Sequence, residues 1–430
     1  MQLDKDPALQ PCTDGSRVLL DVTRLVSRSW TRRRSTGIDR VCYAYLRHLH
    51  QTALAVVQHR GIVKTLNPRA SRELFDMLRA PSQGFRTKFA LALPRWLGQT
   101  MAPGAIEGMR YFNVSHTDFD LPAHWQWVER NRLRSVCLLH DLIPIRHPEY
   151  SRPRAVKRHT GRVNMALQRA DDIIVSSAAV ADDLHAYART HGYPAPRPII
   201  APLAGELMPR PARAKPPVSL PYFVSVGTIE PRKNHALLLD IWRQLAARLG
   251  ENTPRLVLIG QSGPMTGAIL DPIGRDPVFK NRVEWRQDCR DEDMSQLVGG
   301  ASAVLCPSLA EGYGLPLIEA LEMHKTVLAS DIAIFHEVGQ GRPKLLDPQD
   351  SAAWTEAITQ LVCDRAQSIG MQAAEPFDGP RWDDHFAMLA PVLAPILAPT
   401  LGQPQPADPA NTEANTEAKS KPKTKASLAA

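Results

Sequence analysis

Short apolar runs alternate with amphipathic stretches of helical spacing along most of the chain. Residues 17–22 read as a strand. After a basic stretch at 24–34 that reads as loop, Thr36-Gly37-Ile38-Asp39-Arg40 opens a helix with Ile38, Val41, Cys42, Tyr45, Leu46 and Leu49 on its apolar face. A buried strand over 135–139 ends in His140-Asp141, and 170–176 and 198–203 add two more strands around a helix at 180–188. A second series follows: strand 223–226, helix 237–249, strands 255–260 and 282–285, helix 291–298, strand 303–307, helix 315–323 and strand 326–329. Such alternation demands parallel sheets, so the pattern predicts an α/β chain of two doubly wound, Rossmann-like domains.

Punctuation between the two series sets the boundaries. Residues 206–219 hold Pro209, Pro211, Pro216 and Pro217 and read as a linker, which gives an N-terminal domain over 1–205 and a C-terminal one over 220–379. A last helix is expected within 380–400. From 401 to 430 the chain is rich in Pro, Ala, Thr, Asn and Lys with almost no large apolar residue, and disorder is expected there.

Composition fits a large enzyme. At 430 residues the chain exceeds what one core holds. It has no run of eighteen apolar residues and no charged-then-apolar start, so a cytoplasmic protein is expected. The six cysteines are scattered without a metal-binding or disulfide pattern. Residues 1–215 carry 33 Lys and Arg against 18 Asp and Glu, net +15, which leaves −7 for the remainder. A basic half calls for an acidic partner. Signatures of nucleic-acid binding are missing, whereas an anionic membrane or a pyrophosphate-linked lipid acceptor fits. Residues 84–101, with Arg86, Lys88 and Arg95 among Phe85, Phe89, Leu91, Leu93, Trp96 and Leu97, read either as a helix lying in a membrane interface or as an ordinary surface helix interrupted at Pro94.

The candidate chemistry lies at three strand ends. Glu311-Gly312-Tyr313-Gly314-Leu315-Pro316-Leu317-Ile318-Glu319 joins two acids through a glycine turn at a strand-to-helix junction. Free N–H groups and the helix dipole there favour a phosphate, and the two carboxylates suit sugar hydroxyls, although alone the segment reads equally well as a capped connection. Upstream, Gly227-Thr228-Ile229-Glu230-Pro231-Arg232-Lys233-Asn234 places two cations at another strand end, where open parallel sheets bind ligands. His140-Asp141 stands at a third.

Together these segments resemble retaining glycosyltransferases of family 4, with the GT-B fold, and the resemblance spans roughly residues 17–390. Glu311 to Glu319 matches the family's acid-x7-acid motif, and Gly227 to Asn234 matches its phosphate-gripping segment in a variant resembling mannosyltransferases of polysaccharide synthesis. The resemblance implies that Arg232, Lys233 and the N–H groups of Gly312, Tyr313, Gly314 and Leu315 hold the donor diphosphate. It also implies that Glu319 takes the ribose hydroxyls, that Glu311 holds the sugar, and that His140 orients it from the other domain. The family's glycine-rich first loop is reduced here to Gly37, and its nucleobase site falls at residues 285–289. GDP-mannose is the first expectation for the donor, with no cofactor or metal, and a glycan or lipid-linked acceptor at the inner face of a membrane. The final helix is implied to return to the first domain.

Other readings compete. Asp118-Phe119-Asp120 matches the Asp-x-Asp of metal-dependent transferases, a pattern common by chance. A hydrolysing nucleotide-sugar epimerase shares the two-domain architecture, and a sugar-binding module without catalysis is the remaining alternative.

Overall fold

The computed structural model describes residues 18–32, 35–59, 61–80, 84–102, 104–205, 221–366 and 377–393. The expected linker at 206–219 and tail at 401–430 lie outside them. The first lobe is a seven-stranded sheet of β1 (Val18–Asp21), β2 (Ala53–His59), β3 (Ile62–Thr65), β4 (Arg110–Asn113), β5 (Arg134–Leu139), β6 (Asp172–Val175) and β7 (Ile199–Ile200). Its order is β3-β2-β1-β4-β5-β6-β7, and only β3 runs antiparallel. The second lobe comprises β8 (Tyr222–Val226), β9 (Arg255–Ile259), β10 (Val283–Arg286), β11 (Ala303–Cys306), β12 (Val327–Ser330) and β13 (Lys344–Leu346). All its strands are parallel, in the order β10-β9-β8-β11-β12-β13.

Both sheets are doubly wound, and β1 and β11 are buried along their whole length. Helices cover both faces, which is why these strands read as unbroken apolar runs instead of alternating ones. In each sheet the strand order reverses beside the first strand, between β1 and β4 and again between β8 and β11. Loops leaving the carboxyl ends of such a pair diverge and leave a crevice. In the second lobe those two loops are the ones that carry Arg232, Lys233 and Glu311.

The basic stretch after β1 is not loop. Thr23–Thr31 is helical, because Arg24 and Arg28 both turn onto the fully buried carboxylate of Asp39, at 2.5 and 3.0 Å, and need no solvent for their charge. Asp39 also caps its own helix, Gly37–Leu49, by accepting the Thr36 N–H and hydroxyl at 2.7 and 2.8 Å. Pro94 likewise interrupts nothing: Phe85–Leu97 runs through it as one helix.

The last described helices cover the first lobe. In Trp382–Met388, His385 donates from Nδ1 to the carbonyls of Ala201 and Pro202, both at 3.1 Å, and accepts the Tyr45 hydroxyl at 2.8 Å. Phe386 stacks on His48 with ring centres 3.7 Å apart.

Candidate active site

The turn after β8 and the turn after β11 meet at the switch point of the second lobe. Arg232 Nη1 donates to Glu311 Oε2 at 3.0 Å and to the Ala310 carbonyl at 3.0 Å, while its Nη2 pairs with Glu230 at 2.6 Å. Lys233 Nζ and Ser308 Oγ, the latter at 2.7 Å, both donate to Glu311 Oε1. Burial alone would raise the Glu311 carboxyl, but Lys233 and Arg232 outweigh it and bring it down to about 2. The same carboxylates hold the Arg232 guanidinium well above its usual range despite its burial. Two cations and two carboxylates thus form a neutral knot, in which both Glu311 oxygens are engaged.

The glycine turn offers the complementary groups. The main-chain N–H groups of Gly312, Tyr313 and Gly314 have no hydrogen-bond partner among the described residues, and they precede the helix Leu315–Glu322. Orphan donors at a helix start form an anion site. Gly314 needs its φ of 96°, and a Cβ there would stand 2.8 Å from the Phe335 ring. The Tyr313 side chain is buried with its hydroxyl on the main chain of Leu203, so only its backbone faces this site.

The first lobe closes the site from the other side. His140, at the end of β5, donates from Nε2 to the Val114 carbonyl at 2.9 Å, and burial lowers it to about 4, so its ring is neutral at ordinary pH. Behind it, His116 and His159 donate to the carbonyls of Leu138 and Asp141, at 2.7 and 2.9 Å. Gly37 approaches Leu315 across the cleft at 3.5 Å, measured from where a Cβ would lie. Glu319, 2% exposed, pairs with Arg40 of the first lobe. A cavity of about 520 Å³ opens beside the knot, between Asp141, Tyr150 and Arg152 of the first lobe and Glu230, Arg232 and Gly263 of the second.

Arg232, Lys233, Glu311 and the glycine turn therefore lie together, with His140 facing them. Glu319 belongs to the same helix, on the seam between the lobes. Trp285 donates its indole N–H to the Gly260 carbonyl at 2.9 Å, at the neighbouring strand ends. Sequence reasoning missed Ser308, Glu230, Arg40, Tyr150 and Arg152. Ser308 lies just before the Glu311 motif and Glu230 within the segment from Gly227 to Asn234, so both were visible in the sequence. Arg40 pairs with a residue 279 positions away, which no local pattern reveals.

The Asp118–Asp120 pair is occupied otherwise. Arg158 grips Asp120 with two hydrogen bonds, at 2.8 and 2.9 Å, and lies 3.7 Å from Asp118, while Arg162 adds a contact to Asp120 at 3.5 Å. These carboxylates serve as partners for arginines. Among the described residues no group of three His, Cys, Asp or Glu is placed to hold a metal ion, and no helix is long and apolar enough to cross a membrane.

Comparison with known proteins places this geometry. Residues 220–364 match the family model described as Glycosyl transferases group 1. The serotype-specific mannosyltransferase WbdA of Escherichia coli is 30% identical over 218 residues, which are 47% of this chain and 26% of WbdA. This chain therefore spans about a quarter of that relative's length. The O-antigen chain mannosyltransferase B of Escherichia coli is 28% identical over 240 residues, 54% of this chain and 62% of the relative. Among solved structures, Anabaena HepE in complex with UDP-glucose superposes with a TM-score of 0.56 at 15% identity, over 87% of this chain and 94% of that one. That likeness concerns the fold.

Proposed function

We propose that the protein is a retaining glycosyltransferase, a reading supported by the match of residues 220–364 to the model of the glycosyl transferases group 1 and by the GT-B fold. In this reading it moves a hexose, mannose first, from a nucleotide-diphosphate sugar to a glycan or polyprenyl-pyrophosphate-linked acceptor of surface polysaccharide synthesis. The observation that carries the reading is the meeting of Arg232 and Lys233 on Glu311, directly before a glycine turn whose N–H groups lack partners among the described residues and which abuts the His140 main chain.

Breaking the bond between the anomeric carbon and the phosphate oxygen places growing negative charge on the leaving diphosphate. The two cations and the turn's N–H groups offset that charge in a site shielded from water. Drawing Arg232 and Lys233 onto the diphosphate loosens their hold on Glu311, whose carboxylate then faces the sugar hydroxyls and the positive charge at the anomeric carbon. In this reading Glu311, with Ser308 still donating to its Oε1, acts electrostatically and positions the sugar. Retention then follows from front-face attack, in which the leaving phosphate takes the proton of the acceptor hydroxyl. Neutral His140 orients the sugar, Glu319 takes the ribose, and the 520 Å³ cavity admits the acceptor beside Tyr150 and Arg152.

A thermal-shift panel of GDP, UDP and dTDP tests the donor side. The expected result is stabilisation by GDP well above the other two, followed by mannose transfer from GDP-mannose that survives EDTA. A preference for UDP ends the mannose assignment. Release of free sugar or isomerised donor without any transfer ends the transferase reading.

A further inference from the structure

Helix Phe85–Leu97 is apolar on two opposite sides, and the core accounts for only one of them. Phe85, Phe89, Ala92 and Trp96 form its buried stripe, with Phe89 edge-on to Trp96 and Phe85 tilted against Phe89. On the outer side Leu91 is 77% exposed, Leu97 53% and Leu93 39%, next to Ala90 and Pro94, which are also exposed. Trp30, 42% exposed, extends this surface from helix Thr23–Thr31: it packs edge-on against Phe89, and its carbonyl accepts the Arg86 Nε at 2.5 Å. Single exposed leucines need no explanation, but a cluster of them on one helix beside a tryptophan marks a contact surface.

Charge identifies the partner. Helices Thr23–Thr31, Pro68–Arg79 and Phe85–Leu97 pack on one another and together carry eight Lys and Arg against two acids, Glu73 and Asp76. Arg69, Arg72, Arg79, Arg86, Lys88 and Arg95 are all exposed on the helix itself and on its neighbour Pro68–Arg79, with Arg69 and Arg95 sharing Glu73 at 3.6 and 2.5 Å. Exposed leucines beside a net excess of exposed cations suit a bilayer with anionic headgroups, where the leucines enter the acyl boundary and the cations meet phosphate. We propose that the outer face of helix Phe85–Leu97, together with Trp30, docks the protein on an anionic lipid surface. The patch connects to the cleft through Arg24 and Arg28, which hold Asp39 at the start of the helix that brings Gly37 to Leu315. Docking would thus present the cleft to a lipid-linked acceptor. This deepens the transferase reading in naming where such an acceptor comes from.

Vesicle flotation of the full chain, without donor or acceptor, tests the docking apart from catalysis. Binding is expected to phosphatidylglycerol vesicles and not to phosphatidylcholine vesicles, with loss of binding at high salt. Leu91→Glu and Leu97→Glu should each weaken it by ~10-fold or more, and Lys88→Glu by several-fold, with unchanged thermal unfolding and unchanged transfer to a water-soluble acceptor. Equal binding to both lipids overturns the proposal, as does full binding by the double leucine variant. A concentration-dependent dimer in light scattering that Leu91→Glu abolishes would assign the patch to a second copy and overturn it equally.

Discussion

A Cβ on Gly312 would stand 2.9 Å from the His140 carbonyl oxygen and 2.9 Å from the Asp141 Cβ. The turn assigned to the donor phosphates and the strand end assigned to the sugar therefore touch almost main chain to main chain. Neither neighbour is a flexible side-chain tip, so Gly312→Ala must push the two lobes apart. Misplacement of reacting groups by about an ångström costs on the order of 10²-fold in rate. The expected outcome is such a fall in kcat/KM for sugar transfer with little change in the unfolding temperature. Near wild-type turnover would show that the lobes slide without consequence for the site.

The pair between Arg40 and Glu319 ties the same lobes by charge. Glu319 is 2% exposed and Arg40 20%, so removing the cation leaves a buried carboxylate with less compensation. Arg40→Met is expected to destabilise by up to about 3 kcal/mol in urea titrations. The assigned ribose contact predicts a different signature for the acid. Glu319→Gln should raise the donor KM by ~10-fold or more, whereas Arg40→Met, which leaves Glu319 in place, should not raise it. Equal KM changes in both variants would count against the ribose role.

The fold was readable because buried parallel strands are short and carry unbroken apolar runs, as in residues 136–139 of β5, residues 256–259 of β9 and all of β11, and because amphipathic helices separate them. The meeting of the two segments in the candidate site was readable where charged and glycine residues concentrate, as in Gly227 to Asn234 and Glu311 to Glu319. What stayed hidden depends on partners far along the chain. Helix Thr23–Thr31 looked like a solvated basic loop because Asp39, which neutralises Arg24 and Arg28, belongs to the next element. Glu311 looked like a free sugar ligand because nothing in its own segment shows that Lys233 and Arg232 already claim both of its oxygens.

That knot makes an acid-sensitive contribution to stability. The Glu311 carboxyl is lowered from 4.5 to about 2, so its stabilising effect is complete above about 4.5 and fades as pH falls towards about 2. Integrated over that span the effect is on the order of 3 kcal/mol. Glu311→Gln should therefore lose stability at neutral pH and approach the wild type in acid, as read from urea midpoints across that range. Glu311→Ala and Lys233→Ala should each lower turnover ~10²-fold or more if their contacts strengthen in the transition state. Wild-type turnover in either variant would remove the knot from the mechanism.

Glu322 works in the opposite sense. It lies on the helix of Glu319, between the two points where the chain passes from one lobe to the other: its carboxylate abuts Gly205, and a Cβ on Gly379 would come within 2.8 Å of Oε1. Its Oε2 is buried and has no hydrogen-bond partner among the described residues. Burial, with the nearby charge of Glu319, raises it from 4.5 to about 7. The folded protein therefore binds more protons than the unfolded chain between those values, and stability falls as pH rises through that interval and levels off above it. Glu322→Gln, which cannot ionise, should remove this slope. The variant should unfold at a higher temperature than the wild type above pH ~7 and at nearly the same temperature below ~4.5. If the two proteins lose stability in parallel across that interval, the charge at the crossing is not the cause, and another buried group must carry the proton.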